Sequence, residues 1–519
     1  MNLTTDPWIP VVWMDGKPGM MSLPEVFERA RELQDLAVRP HQRIALMRLL
    51  ICVTQAGLDG PADYDDWKAC RPRIAPSALD YLQRWQDAFE LFGNGQRFLQ
   101  VANLKKTASK SNGEDEEGNS TSKLDLALAT GNNTTLFDNA GGSERTFKPA
   151  DLALMLLTFQ CFSPGGRIGM ALWDGSKTPG EGSSDHAPCL ADGMLHALLR
   201  GGSLLDTLHR NLMSKQQAEQ FFGKDLWGKP VWQVMPRRLA DTEAVANANR
   251  TYLGRLVPLS RAIWLADHCR SLILANGLEY SPYSKGGWRE HTATIVARTD
   301  KGQPVRVVLR ASVDKAVWRE LHALAVKAVS QSALGGPAAL QNVSDEKEFD
   351  LWVGGLVANK AKLVDATESV FHVPSAMLAE TSQMVYEKGV LWAETRAFRL
   401  KKAVSAYHKE LGDNLDRPDM KDRRRHIQGN AAAHFWTDIE SAVPRLLDLA
   451  AAPERLGLKA EWHKTAWGQS IWRAARAAYE RACPHQTPRH IRAYALGQKH
   501  LFAALAEPSE LKPEKEAEA

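Results

Sequence analysis

No Cys-x-x-Cys pair occurs in this chain. Its six cysteines, Cys52, Cys70, Cys161, Cys189, Cys269 and Cys483, are scattered over 519 residues. That usage predicts reduced, mostly buried thiols of a cytoplasmic protein and argues against a disulfide framework or a zinc ribbon. No run of about 18 apolar residues is present, so no membrane span is expected. A signal peptide is not expected either, because Asp6 and Pro10 interrupt any apolar stretch near the start and no basic segment precedes them. A large charge of one sign is also missing: 65 Lys and Arg oppose 61 Asp and Glu, a formal net charge of +4. The isoelectric point near 8.6 falls short of the value above about 9 typical of dedicated nucleic-acid domains. Composition alone therefore does not show DNA binding; it leaves room for local basic patches.

Catalytic signatures are absent too. There is no Walker A loop, no GxGxxG after a strand, no HExxH and no GxSxG. His186 and Cys189 have ligand-like spacing, but one such pair is short of a zinc ligand set, and the histidines form no tight cluster. No nucleophile and base can be paired by spacing. No metal or cofactor is expected, and a binding or scaffold role is mildly favoured.

What is present is ordinary globular material, 44% hydrophobic and 24% charged, enough for roughly two to four domains. Pro7 to Gly16 reads as a strand ending in an Asp-Gly turn, with Met20 to Leu23 returning. Ser22 can cap the helix that follows, with Pro24 in its first turn. Helical patterns are expected near 41–58, 77–92 and 149–161. The segment 106–123, KTASKSNGEDEEGNSTSK, can bury almost nothing and reads as a mobile surface loop. Strands are expected at Tyr252 to Trp264, Ser271 to Ala275, Thr292 to Ala297 and Val305 to Leu309.

Beyond about 375 the pattern turns helical. Tyr386, Val390, Ala393, Ala397, Leu400, Val404, Tyr407 and Leu411 form an a/d seam. Phe435, Ile439, Ala442, Leu446 and Leu449 form a second face, with Pro444 placed to kink it. Trp467, Ile471, Ala474, Ala478 and Ala482 form a third, and Ile491, Tyr494, Leu501 and Leu505 a weaker fourth. Of Trp462, Trp467 and Trp472, spread around a helix by their spacing, one or two are expected in the core. The closing stretch from Glu507 reads as a frayed polar tail. The fold class read from this is α+β: an irregular mixed N-terminal domain over 1–370, then a four-helix bundle over 371–519.

Three loops are richer than connectors need to be. Gly131 to Gly142 sets Phe137 and Asn139 in a glycine-rich frame; Phe137 can stack on a base and Asn139 can bond a base edge, or Phe137 can simply pin the loop. Pro164-Gly165-Gly166-Arg167-Ile168-Gly169 lets backbone approach a ligand, or merely turns after a helix. Gly354-Gly355-Leu356-Val357-Ala358-Asn359-Lys360 offers an amide and a charge, or is a β-turn with a solvated lysine.

In this order, these loops resemble the CasA family, the large subunit of the type I-E CRISPR surveillance complex Cascade. The likeness includes Met1-Asn2-Leu3, Trp8-Ile9-Pro10-Val11, Tyr252-Leu253-Gly254-Arg255-Leu256, Asn276-Gly277-Leu278 and Leu351-Trp352-Val353-Gly354-Gly355. It spans the whole chain, and its specificity lies in the collinear series rather than in one motif. The resemblance implies a non-catalytic subunit that helps recognise the protospacer-adjacent motif (PAM) of double-stranded DNA from the minor groove. It implies help in opening the duplex so that guide RNA can pair, and in recruiting a helicase-nuclease. The partners implied are the backbone, small and guide-end-capping subunits, the guide RNA and the target DNA, with no membrane.

Carried over residue by residue, the family's glycine loop falls on Gly165 and Gly166, with Gly169 an alternative. Its basic finger falls on Arg270, and its wedge on Asn359, Lys360 and Ala361. The loop with a family phenylalanine falls on Phe137 and Asn139. Two departures matter. Arg270 stands for lysine, keeping the charge on a planar fork. Lys360 stands for glutamine, and lysine only donates hydrogen bonds, so the PAM preference need not follow the family's. Two other readings compete: a metal-dependent nuclease built on residues such as Asp174, His186 and Asp192, and a scaffold without DNA contact. For the last, Lys421-Asp422-Arg423-Arg424-Arg425 is either a phosphate-binding stretch or a solvated loop between helices.

Overall fold

The computed structural model describes all residues except 108–117, 129–144, 167, 181–186, 360–361, 457–460 and 504–519. The described residues divide into two compact units, Met1–Lys315 with Lys327–His372, and Ala316–Val326 with Val373–Ala519.

The first unit opens with β1 (Ile9–Trp13), β2 (Pro18–Met21) and β3 (Leu33–Leu36), joined in the order β2-β1-β3. Between β2 and β3, Ser22 stands at the N-cap of the helix Leu23–Glu28 with Pro24 in its first turn, as expected, and Glu25 completes a capping box by accepting from the Ser22 N–H at 2.7 Å. The helix Pro40–Leu58 is buried on nearly every side, and so is Pro149–Phe162; a helix apolar all round belongs inside a core. The helix expected near 77–92 begins earlier and is shorter, Ile74–Arg84.

Within this core an arginine at position 48 is 1% exposed. Its guanidinium donates to the carbonyls of Leu256 and Arg255, each at 2.7 Å, and pairs with Glu290 at 2.9 Å. Arg255 pairs with the same carboxylate at 2.7 Å.

The remaining strands form small sheets. β4 (Leu104–Lys106), β6 (Ala171–Trp173) and β7 (Ser176–Lys177) make one, in the order β4-β6-β7. β5 (Asn119–Ser120) joins β10 (Ser271–Asn276) and β9 (Arg261–Leu265) in the order β5-β10-β9. β8 (His196–Arg200) pairs with β13 (Glu348–Asn359), which pairs with β14 (Lys362–Pro374). β11 (Ile295–Asp300) and β12 (Gln303–Val308) form a two-stranded ribbon.

Three expectations fail here for identifiable reasons. Tyr252 to Trp264 is not one strand: Thr251 caps a short helix, Tyr252–Leu256, by accepting from the Gly254 N–H, and β9 starts only at Arg261. The apolar and aromatic content of that stretch outweighed the cap in the sequence reading. Gly354 to Asn359 is not a loop but strand, since β13 runs to Asn359. The polar segment 106–123 is not surface loop to its end, because Asn119 and Ser120 pair with β10 and Thr121 is fully buried.

In the second unit the helices are Glu380–Glu410, Lys421–Glu440, Val443–Ala451, Ala466–Ala482 and Pro488–Leu501. The first predicted seam is buried from Tyr386 to Tyr407, with Leu411 half-buried. The second is buried throughout, and the helix is interrupted between Glu440 and Val443, just before Pro444. Trp462 and Trp467 are core; Trp472 is 42% exposed. The fourth face is correct in part: Leu501 is buried and Tyr494 half-buried, but Ile491 is exposed, Leu505 lies outside the described residues, and Ala493 and Gly497 complete the buried face. Small residues let it approach closely, and a Cβ on Gly497 would meet the Tyr479 hydroxyl at 2.0 Å. Lys421 to Arg425 is helix rather than loop, with Arg423 on Asp413 at 2.7 Å and Arg424 on Asp416 at 3.9 Å. Among the described residues no helix is long and apolar enough to cross a membrane.

Candidate nucleic-acid interface

β9 and β10 form a tight hairpin, with Arg261 opposite Asn276 at its open end. Arg270 stands at its closed end, in a turn where Ala266 donates to Ser271 at 3.0 Å and Cys269 adopts φ +64°. The Arg270 backbone is fixed on both sides. Its N–H meets His268 Nδ1 at 3.2 Å, and its carbonyl accepts from Thr121 N at 3.1 Å. Its side chain is exposed. The nearest carboxylate in the turn, Asp267, is committed to Arg97 at 2.9 Å. The Arg270 guanidinium has no acidic partner among the described residues, so its charge faces solvent uncompensated.

The glycine loop leaves the helix Pro149–Phe162 and is clamped to the other end of the same hairpin. Arg261 Nη2 donates to the Pro164 carbonyl at 2.6 Å, Arg261 Nη1 to Asn276 Oδ1 at 3.2 Å, and Asn276 Nδ2 to the Pro179 carbonyl at 2.7 Å. Ser163 and Ser260 hydroxyls meet at 3.3 Å. Gly166 has φ +132°, a conformation that costs other residues. A Cβ on Gly169 would touch nothing within 4 Å, so the chain itself gives no steric reason for glycine there. The structure thus anchors Gly165 and Gly166 at one end of the hairpin and sets Arg270 at the other, roughly 16 Å along the strands.

The second hairpin, β13–β14, is long, with strands of 12 and 13 residues. Its lower part pairs with β8 from Asp350 opposite Arg200 to Gly354 opposite His196. Trp352 is hydrogen-bonded through Nε1 to Glu368 on the opposite strand, and Arg43 ties Glu368 to the body at 3.3 Å. Gly354 and Gly355 serve this packing. A Cβ on Gly354 would meet the Trp352 ring at 2.5 Å and the Thr367 carbonyl at 3.0 Å; one on Gly355 would meet the Met194 carbonyl at 2.8 Å. The backbone these glycines bring close is the protein's own. Asn359 ends β13; Lys360 and Ala361 lie outside the described residues.

A single segment links the two hairpins. Ser120 pairs with Ser271, Thr121 bonds the Arg270 carbonyl, and Leu126 and Ala127 line a cavity of about 240 Å³ at the neck of β13–β14, with Leu356, Leu363 and Pro40. Arg39 holds this segment through Asp125 at 3.2 Å. Five residues span at most about 18 Å, so the Arg270 turn and the neck of the second hairpin are near neighbours. The Phe137 loop departs from this segment, and Phe137 and Asn139 themselves lie outside the described residues.

Residues that the sequence reading passed over include Arg261, the clamp of the glycine loop. Its signal was a charge in a strand otherwise reading as buried. Lys105 and Lys177 were missed as well. Both stand opposite Leu172 in register, from β4 and β7, which puts them on one face of the sheet entered from the glycine loop; isolated lysines carry no sequence signal. Among the nuclease candidates, Asp192 accepts from the Ser284 N–H at 3.1 Å and hydroxyl at 2.5 Å, Asp174 occupies a turn with φ +48°, and His186 lies outside the described residues. Five of the six cysteines are buried and Cys269 is half-buried.

Comparison with known proteins gives a consistent answer. The model of the family described as CRISPR-associated protein Cse1 matches residues 2–478. The CRISPR-associated protein CasA/Cse1 of Thermus thermophilus is 28% identical over 533 aligned residues, covering 98% of both chains. In fold, a crystal structure of Thermus thermophilus CasA superposes with a TM-score of 0.74 at 24% identity, over 96% of this chain and 98% of that one. Cse1 of Acidimicrobium ferrooxidans gives 0.74 at 19% identity, over 96% of each chain. A chain of a CRISPR RNA-guided surveillance complex gives 0.69 at 18% identity, over 97% of this chain and 99% of that one. With its model matched across nearly the full length, this chain belongs to the CRISPR-associated Cse1 family.

Proposed function

We propose that this chain is the large, non-catalytic subunit of a CRISPR RNA-guided surveillance complex, and that its first unit reads the PAM of double-stranded DNA and helps open the duplex. Membership of the Cse1 family supports the assembly role, and the near-complete coverage of relatives supports it over any single domain borrowed from such a protein. The observation that carries the DNA reading is the segment Ser120–Ala127, which ties the Arg270 turn to the neck of the β13–β14 hairpin.

In this reading Arg270 is the basic finger, a fixed, uncompensated cation entering the minor groove. Gly165 and Gly166, with Gly169 beside them, present backbone to the base edges. Asn359, Lys360 and Ala361, at the end of β13 and just beyond it, form the wedge. Phe137 and Asn139 belong to the adjoining loop. The segment joins the Arg270 turn to the hairpin that carries the wedge, so reading and opening act on neighbouring parts of one duplex. The minor groove separates mainly A·T from G·C pairs, so permissive recognition follows. Unstacking costs a few kcal/mol per step, which pairing with the guide then offsets; the handing of sequence specificity to RNA has a parallel in another effector class. Other subunits and guide RNA are the partners of the assembled state, and a helicase-nuclease is recruited after opening.

The test is target binding by the assembled complex carrying Arg270→Ala, Lys360→Ala or both. The double substitution is expected to abolish the preference for PAM-containing over PAM-free duplex. Binding should also weaken as salt rises, less steeply in the variants. Unchanged PAM preference in the double variant would remove this site assignment. Cleavage of DNA by the purified chain with Mg²⁺, Mn²⁺ or Zn²⁺ would replace the reading with a nuclease.

A further inference from the structure

The helical unit contains a cavity of about 340 Å³ that the DNA-reading loops do not involve. Trp392 and Arg396 reach it from the helix Glu380–Glu410, His463 from the turn before Ala466–Ala482, and Gln469, Trp472 and Arg473 from that helix itself. Among the described residues no carboxylate lines it.

Its chemistry is one-sided. Trp392 Nε1 and Arg396 Nε are sealed from water and have no hydrogen-bond partner among the described residues. Trp392 is only 6% exposed. Two buried donors without acceptors in one cavity are exceptions that call for an explanation. Arg396 donates through Nη1 to the Leu501 carbonyl but has no acidic partner among the described residues. Burial, with the charge of Arg399 adding to it, pulls its pKa down to about 10. The acids nearest in sequence are committed elsewhere: Glu394 to Arg319, Glu461 to Lys464 at 2.8 Å, and Glu480 to Arg476 at 2.8 Å. Arg473 is exposed, and among the described residues its guanidinium holds only Gln469 Oε1, at 3.4 Å. The N–H of Gly468, which also lines the cavity, is already capped by the Thr465 hydroxyl at 3.0 Å, so the helix start adds positive field rather than a free donor.

Unpartnered donors, two guanidinium groups and a tryptophan wall, with no opposing acid among the described residues, describe a receptor for an oxyanion. Two guanidiniums match a dianion better than a single carboxylate, and the planar fork suits phosphate. A phosphate with one ester arm offers three terminal oxygens and up to two negative charges to these donors, whereas a phosphodiester within a strand offers two oxygens and one charge. We propose that this cavity binds a terminal phosphate (a phosphomonoester) carried by a free nucleotide or by the end of a nucleic-acid strand, with Trp472 beside the attached sugar or base.

Isothermal titration of the full chain tests this with four probes: inorganic phosphate, thymidine monophosphate, and hexathymidylate with and without a 5′-phosphate. Saturable one-site binding of thymidine monophosphate or of the phosphorylated strand is expected. It should weaken by about tenfold or more in Arg473→Gln, which removes an exposed guanidinium, and in Trp392→Phe, which deletes the orphan N–H and keeps a ring. Thermal unfolding of Arg473→Gln should match the parent, separating lost binding from lost folding. Tighter binding of the mononucleotide assigns a free-nucleotide source, and tighter binding of the phosphorylated strand assigns a strand end. The proposal is overturned by the absence of saturable binding, by equal binding of the strand lacking phosphate, by binding that both substitutions leave intact, or by capture of a hexaglutamate peptide in preference to every phosphate probe.

Discussion

Glu290 is shared by two buried arginines. Burial pushes its carboxyl up, but Arg255 and Arg48 outweigh that and hold it down to about 2. Removing one member of such a group leaves charge uncompensated in the core, at a cost of about 3–5 kcal/mol. Glu290→Gln should therefore lower the chemical-denaturation free energy of the chain by that amount, while Glu279→Gln, on an exposed residue, should change it little. A loss below about 1 kcal/mol would show that water reaches the group. The contribution of Glu290 is present above its ordinary value of 4.5 and is lost as pH falls through about 2. Nothing at residue scale made this legible in sequence: Arg48 sits among apolar neighbours as any surface arginine might, and its partner is distant in the chain. The exposed Arg270 was found only through family resemblance.

At the scale of elements, periodicity told most of the truth where helices pack by large side chains. The seam from Tyr386 to Tyr407 is buried as its spacing predicts. The last helix defeated the same rule because Ala493 and Gly497 do its packing, and small residues give no apolar signal. Capping and glycine mattered most where reading failed. Thr251 turned an apparent strand into a helix start, and Gly354-Gly355, read as a loop, are packing glycines within β13. That correction carries a prediction. Gly354→Ala forces a methyl group toward the Trp352 ring and the Thr367 carbonyl, and overpacking of this kind costs about 1–3 kcal/mol. The variant should unfold at lower denaturant, and in the assembled complex it should weaken duplex opening more than initial PAM-dependent binding. Gly169→Ala meets no neighbour and should leave stability unchanged, so any loss of DNA binding there reports contact with the ligand.

For the whole molecule, buried histidines shape the response to acid, three of them strongly shifted. Burial lowers His41 and His196 to about 4 and His291 to about 3, with neighbouring cations contributing. Each binds its proton in the unfolded chain near 6.5 but not in the folded one, so stability is complete above 6.5 and falls as pH drops from there toward 4. With each proton worth about 1.4 kcal/mol per pH unit, the combined slope approaches roughly 4 kcal/mol per pH unit near pH 5. Unfolding midpoints measured between pH 7 and 4.5 should drop steeply, and substituting His291 by Gln should flatten the slope by about one proton. A pH-independent midpoint across that range would show these rings to be solvated.

The segment Ala316–Val326 belongs to the helical unit although it precedes it in the chain. It brings Trp318, 1% exposed, against Trp436 and Trp467 at 5.9 Å each, and its carbonyl accepts from the Tyr386 hydroxyl at 2.9 Å. For a ribosome, this means that a keystone of the second unit is made before the whole β13–β14 hairpin and must wait for it. For anyone dissecting the protein, a fragment beginning at Val373 would be born with a tryptophan-sized hole.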